Sequence, residues 1–167
     1  MIRLMRHAKA GGTALDFWGA LLRLTPEGEN HARTAAKQLA MQLKGMPVVF
    51  TSNMTRHIQT AEIICEVLKT KPIIDWRLGP IDPEAWDEMM MKLVRSGKKF
   101  PDSWLKYTKE HEPALVEREK KHFLSQIKRI EHENHDREIV VISSSGLIEP
   151  VAGLDHELDY CEAAGLQ

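Results

Sequence analysis

The stretch PVVFTSNMTRHIQTAEIICEVLKTKPII, Pro47 to Ile74, decides the class of fold. Pro47 to Thr51 is an apolar, β-branched run without polar alternation, the pattern of a strand buried on both faces. From Met54 the period changes: Ile58, Ala61, Ile64, Cys65 and Leu68 recur at helical spacing on one face. Lys71 to Ile74 reads as another short strand. A strand, a helix of more than ten residues and a strand form a β-α-β unit, whose strands run parallel in one sheet.

The same alternation extends in both directions. Ile2 to Met5 is a short apolar strand, and Ala10 to Arg23 is loop-like. Thr25-Pro26-Glu27-Gly28 reads as a helix start, with Thr25 as N-cap and Pro26 at the first helical position. Ala32, Ala35, Ala36, Leu39 and Leu43 then keep helical spacing until Gly45 and Pro47. Beyond the quoted stretch, Pro83 to Arg95 is a helix with Trp86, Met89, Met90, Leu93 and Val94 inward. Pro101 to Arg129 is charged and helical, broken near Pro113. Glu138 to Ile142 is a fourth strand, and Gly146 to Leu154 is helix-like. His156 to Gln167 is polar and poorly patterned. The reading is an α/β protein: a three-layer αβα sandwich with a mostly parallel central sheet, one domain over residues 1–167.

Composition narrows the function. The chain has 167 residues, 43% hydrophobic and 28% charged, with a formal net charge of -1, which gives nucleic acid no general attraction. The basic cluster at Arg118 to Arg129 is flanked by glutamates and reads as a solvated helix face. Cys65 and Cys161 lie far apart and imply neither a disulfide framework nor a zinc site. His132 and His135 have a spacing that suits a metal, but without a third ligand they read as a solvated face. No apolar run has the length of a signal peptide or a membrane span, so a cytoplasmic protein with no membrane partner is expected.

In parallel sheets, ligands bind beyond the carboxyl ends of the strands. Arg6-His7 follows the first strand. Thr51 and Ser52 follow the second, with Arg56 one turn into the next helix; Ser143, Ser144, Ser145 and Gly146 follow the fourth. Each feature alone is ordinary: serines before a helix are caps, and one arginine means little. Arg56 does oppose the helix dipole, as it would if it faced an anion. Together, two forked guanidinium groups, a histidine and a hydroxyl-rich helix entry suit phosphate chemistry. His57 stands beside Arg56 and has two readings, a residue at the rim of the crevice or one that faces elsewhere. Trp18, Trp86 and Trp104 read as core residues or as a wall for an organic leaving group.

These residues also carry a resemblance. Leu4 to Ala8 (LMRHA) resembles the Arg-His-Gly signature of the histidine phosphatase superfamily, also called phosphoglycerate mutase-like. Leu24 to Gly28 with Ala32 is similar to its first-helix motif. Ser52 to Arg56 with Thr60-Ala61-Glu62 is similar to its second-arginine motif. The resemblance runs through residues 1–68, returns at 138–154, and lapses between them and in the tail. It implies that His7 is the nucleophile, that Arg6 and Arg56 hold the phosphoryl oxygens, and that no metal or other cofactor takes part.

The chain departs from the family at four places. Ser144 stands where the family has a second histidine, as in a branch carrying Ser-Gly-Gly there. Ser144 and the backbone at Ser145 and Gly146 would then be the phosphate donors. Pro80 stands at the usual position of the acid glutamate. Asp82 is the candidate general acid, with helix N-cap as its other reading, and Glu84 is a weaker one. Ala8 replaces a glycine. The tail shows little of the family's last strand, so an edge strand would be missing or short, and the edge open to a partner subunit in a homodimer. The expectation is a phosphatase of reduced or atypical activity, hydrolysing a phosphomonoester or phosphohistidine through phospho-His7. The alternative is a pseudoenzyme that binds phosphorylated ligands or phosphoproteins.

Overall fold

The computed structural model describes residues 1–11, 21–96, 104–154, 156 and 158–165, the side chains at 90, 93, 94, 104 and 105 excepted. Five strands form one sheet: β1 (Ile2–Arg6), β2 (Val48–Thr51), β3 (Pro72–Ile74), β4 (Ile139–Ser143) and β5 (Ala163–Gly165). Their order is β3-β2-β4-β1-β5. The first four are parallel, and β5 lies antiparallel to β1. The helices are α1 (Pro26–Gln42), α2 (Thr55–Leu68), α3 (Pro83–Arg95), α4 (Trp104–His111), α5 (Pro113–Glu133) and α6 (Ser145–Ala152).

Successive residues of β4 divide between two cores. Ile139 and Val141 join Leu4, Phe50, Phe123, Ile127 and Ile148 on the face covered by α5 and α6. Val140 and Ile142 join Met5, Val49, Ala36, Leu39 and Ile64 on the face covered by α1 and α2. The three αβα layers read from the sequence are therefore present. Each fully buried Leu or Ile contributes about 1.5–3 kcal/mol over its exposed state, so strands this short are held mainly by their two buried faces. Among the described residues, no helix is long and apolar enough to cross a membrane.

Local chemistry sets the element ends. Thr25 Oγ1 accepts the Gly28 N–H at 3.0 Å, with Pro26 following the cap. A Cβ at Gly28 would stand 2.0 Å from the Lys9 carbonyl oxygen, so only glycine lets α1 pass this close to the chain after β1. Pro113 divides α4 from α5, as expected. Helix α5 runs on to Glu133, past the expected end at Arg129, and brings the fully buried Ile130 into the core. The first residues of the segment expected to be helical from Pro101, and the side chains of Met90, Leu93 and Val94, lie outside the described residues.

The tail holds the one strand with no sequence pattern. β5 (Ala-Ala-Gly) is three residues long and is registered by main-chain pairing, Arg3 with Gly165 and Met5 with Ala163. The expected defect at this edge therefore amounts to a short strand.

Candidate active site

The strand order places the carboxyl ends of β2, β4 and β1 side by side. Arg6 pairs with Ser143 and Thr51 with Ile142. His7, Ser144 and Ser52 therefore leave the sheet together, and the His7 N–H donates to the Ser143 carbonyl at 3.0 Å.

The His7 ring is held in one tautomer. Its Nδ1–H donates to the Ala8 carbonyl at 2.7 Å, since a carbonyl oxygen only accepts. The Nε2 lone pair faces Arg56, whose Nε–H donates to it at 3.3 Å. Arg56 is only 3% exposed, and its Nη2 also reaches Met54 Sδ at 3.3 Å. Burial pulls its pKa down to about 10, which leaves it a cation at neutral pH. Thr60 explains the Arg-x-x-x-Thr spacing. Its hydroxyl donates to the Arg56 carbonyl at 2.6 Å and accepts the Ala8 N–H at 3.1 Å. One turn of α2 thus fastens the backbone just after His7. Ala8, in place of the family glycine, is fully buried against Ala32 and Cys161.

Arg6 is held by the tail. Its Nη1 donates to the Leu158 carbonyl, and its guanidinium lies 4.3 Å from the Tyr160 ring centroid. The Leu158 N–H in turn donates to the buried Glu149 at 2.9 Å. The Tyr160 ring lies 6.0 Å from the His7 ring. Sequence reasoning missed Tyr160, because nothing in the polar tail marks one residue above another.

It offered His57 a place at the crevice rim as one of two readings, but not the buried place it takes. His57 is fully buried and stacks on His7, with ring centroids 4.9 Å apart and planes at 27°. Its Nδ1 lies 2.6 Å from Ser52 Oγ and its Nε2 3.1 Å from Ser144 Oγ. Of the three serines, Ser143 donates to the Leu78 carbonyl at 2.9 Å, Ser144 contacts His57, and the half-buried Ser145 opens α6.

Asp82 is engaged elsewhere. Its Oδ1 accepts the Ala85 N–H at 3.0 Å at the start of α3, and its Oδ2 accepts from Arg118 at 2.6 Å. Buried Glu119 holds the same turn, accepting from the Ile81 and Asp82 N–H groups and from Trp86 Nε1. Glu84 is exposed. Trp86 packs with Met89, Leu115 and Val116, so it is a core residue. Trp18 and the side chain of Trp104 lie outside the described residues. His132 and His135 are exposed at the end of α5.

Burial, reinforced by Arg56 and Arg6, lowers the His7 pKa from 6.5 to about 3. Burial beside His7 and Arg56 holds His57 well below 6.5. Both rings are neutral when folded and take up protons near pH 6.5 when unfolded. Their contribution to stability is therefore complete above pH 6.5 and is lost as pH falls below it. For His7 the linkage is about 2 kcal/mol between pH 7 and 5, and His57 acts in the same direction. Urea unfolding should show that fall, and His57→Phe should make it shallower. A flat profile would contradict the neutral pair.

The family model of the histidine phosphatase superfamily (branch 1) matches residues 2–160. Comparison with the curated proteins returns no match. Among solved structures, a phosphoglycerate mutase from Bacillus anthracis superposes with a TM-score of 0.67 at 16% identity, over 97% of this chain and 85% of that one. A phosphoserine phosphatase from Entamoeba histolytica, in complex with 3-phosphoglyceric acid, gives 0.62 at 16% identity, over 97% and 87%. A mycobacterial glucosyl-3-phosphoglycerate phosphatase gives 0.58 at 13% identity, again over 97% and 87%. At these identities the likeness is one of fold, and the fold is phosphoglycerate mutase-like.

Proposed function

The chain belongs to the histidine phosphatase superfamily, and on that premise we propose that it hydrolyses a phosphomonoester or phosphohistidine through a phosphohistidine on His7. The observation that carries the reading is the His7 tautomer. Nδ1 spends its proton on Ala8, and the Nε2 lone pair faces the guanidinium that would receive phosphoryl oxygens. Nε2 attacks phosphorus, the bond from phosphorus to the leaving atom (oxygen in a phosphomonoester, nitrogen in a phosphohistidine) breaks, and that atom takes a proton. Water then attacks phosphorus, returning a proton to the group that protonated the leaving atom; the N–P bond breaks, its electron pair goes back to Nε2, and inorganic phosphate leaves. Arg56 and Arg6 spread the charge of the transferring group, and Ser144 and Ser145 border it. The phosphatases among the structural relatives are in keeping with this chemistry.

Asp82 is our candidate for the proton to the leaving oxygen. One observation favours a slower or binding-only protein: both carboxylate oxygens of Asp82 are already engaged, by Ala85 and Arg118. Substrates with acidic leaving groups need no such proton and should turn over best. The test is to mix the protein with p-nitrophenyl phosphate, quench in base, and map the phosphate by mass spectrometry. Phosphate on His7, lost in acid, is expected. Turnover with an unmodified His7, or no turnover at all, would count against the reading.

A further inference from the structure

We propose that His57 is a positioning residue: held by Ser52, its imidazole orients the Ser144 hydroxyl so that this hydroxyl donates its proton to a phosphoryl oxygen. The inference rests on the phosphatase reading above. Its basis is the direction of three linked hydrogen bonds. Ser52 Oγ accepts the Met54 N–H at 3.4 Å. Among the described residues, its own proton has one acceptor, His57 Nδ1 at 2.6 Å. Ser52 is fully buried, and buried hydroxyls find partners within the protein. A neutral imidazole that accepts at Nδ1 carries its proton on Nε2. That proton goes to Ser144 Oγ at 3.1 Å, so the serine oxygen is an acceptor there. The Ser144 proton is left for an acceptor at the strand ends, where His7 and Arg56 meet.

A second observation concerns Ser144 itself. It occupies the N-cap position of α6, yet its side chain makes no cap bond. A serine there usually spends its oxygen on the second or third helical N–H. Here the oxygen is given to His57 instead. Burial beside His7 and Arg56 keeps the imidazole neutral at pH 7, which preserves the direction of the chain. A protonated ring would donate from both nitrogens and turn Ser52 around. A neutral histidine thus backs the serine that the sequence offers as a neutral donor in place of the family's cation.

The test is a double-mutant cycle on Ser144→Ala and His57→Phe. It has two readouts: kcat for p-nitrophenyl phosphate and orthovanadate affinity by calorimetry. Each single change should lower kcat by ~10²-fold, and the double variant should lose no more than the worse single. KM should move by less than about threefold, because the hydroxyl acts mainly in the transition state. Vanadate affinity should fall with the same lack of additivity. Two losses that multiply in the double variant, or an unimpaired His57→Phe, would overturn the relay. If His57→Phe does not fold, His57→Gln and His57→Asn decide the matter. The glutamine amide reaches Ser144 from near the Nε2 position, whereas the asparagine amide reaches only Ser52. Gln should keep kcat within about tenfold of wild type, and Asn should match Ser144→Ala; equal rates would overturn the proposal. If wild type and His7→Ala turn over alike, the phosphatase reading has failed. The relay is then judged on vanadate alone, and an unchanged affinity in Ser144→Ala defeats it.

Discussion

His7→Ala should leave a folded protein that hydrolyses p-nitrophenyl phosphate at the background rate. Removing the nucleophile of a group-transfer enzyme costs on the order of 10⁴–10⁶ in kcat, because the covalent route is lost and not merely weakened. The ring stacked beside it cannot take over. His57 Nδ1 lies 2.6 Å from Ser52 Oγ, and its Nε2 faces Ser144 within a fully buried site. The fold should survive, since His7 is only half-buried and its backbone is fixed through Ser143 and Thr60. The measurement is kcat from pH 5 to 8 beside a melting curve. In the wild type, a nucleophile whose pKa is lowered to about 3 stays unprotonated over this range, so His7 itself contributes no acid limb. Equal rates in both proteins, with both folded, would remove His7 from the mechanism.

Arg56→Ala should lower kcat/KM by ~10³-fold or more, the scale on which one arginine stabilises a transferring phosphoryl group. The expectation rests on burial as well as contact. A cation 3% exposed, 3.3 Å from the attacking nitrogen, acts where water screens it little. A second effect distinguishes this from misfolding. Arg56 is the second-largest cause of the depressed His7 pKa, after burial. Without it, the His7 pKa rises toward 6.5, and an acid limb should move up toward the assayed range. Arg56→Lys keeps a charge but not the fork, so it should keep the wild-type pH profile better than its rate. A loss below tenfold, with an unmoved profile, would place the phosphoryl group elsewhere.

The parts of the fold that were legible are those in which local pattern and tertiary environment agree. The apolar run at Val48–Thr51 and the helical face of α2 each allowed one reading, and both faces of the sheet are buried. Arg6, His7, Arg56 and Ser144 could be picked out because each sits at a fixed distance from a strand end. His57 was legible only as one candidate for the rim, because neighbouring residues on a helix point about 100° apart. Knowing that Arg56 faces the site does not say that the next side chain turns under it. Tyr160 and Leu158 were hidden for another reason: main-chain pairing and Glu149 recruit the tail, and neither has a sequence period. Asp82 carried two readings in the sequence, and the cap is the one whose bonds are visible.

The sheet order also sets a timetable for synthesis. Strand β1 pairs only with β4 and β5, and Arg3 meets Glu138 at a separation of 135 positions. At translation rates of about 5–20 residues per second, Arg6-His7 leaves the ribosome roughly 7–30 s before its neighbouring strand. Until then the α1 and α2 segments can form helices, but the nitrogen that would attack phosphorus has no wall behind it. A stalled or prematurely terminated chain that carries the whole Arg-His motif should therefore be inert toward phosphate. Of the five strands described, the one made earliest is among the last to find its place, and such long-range closure is slow.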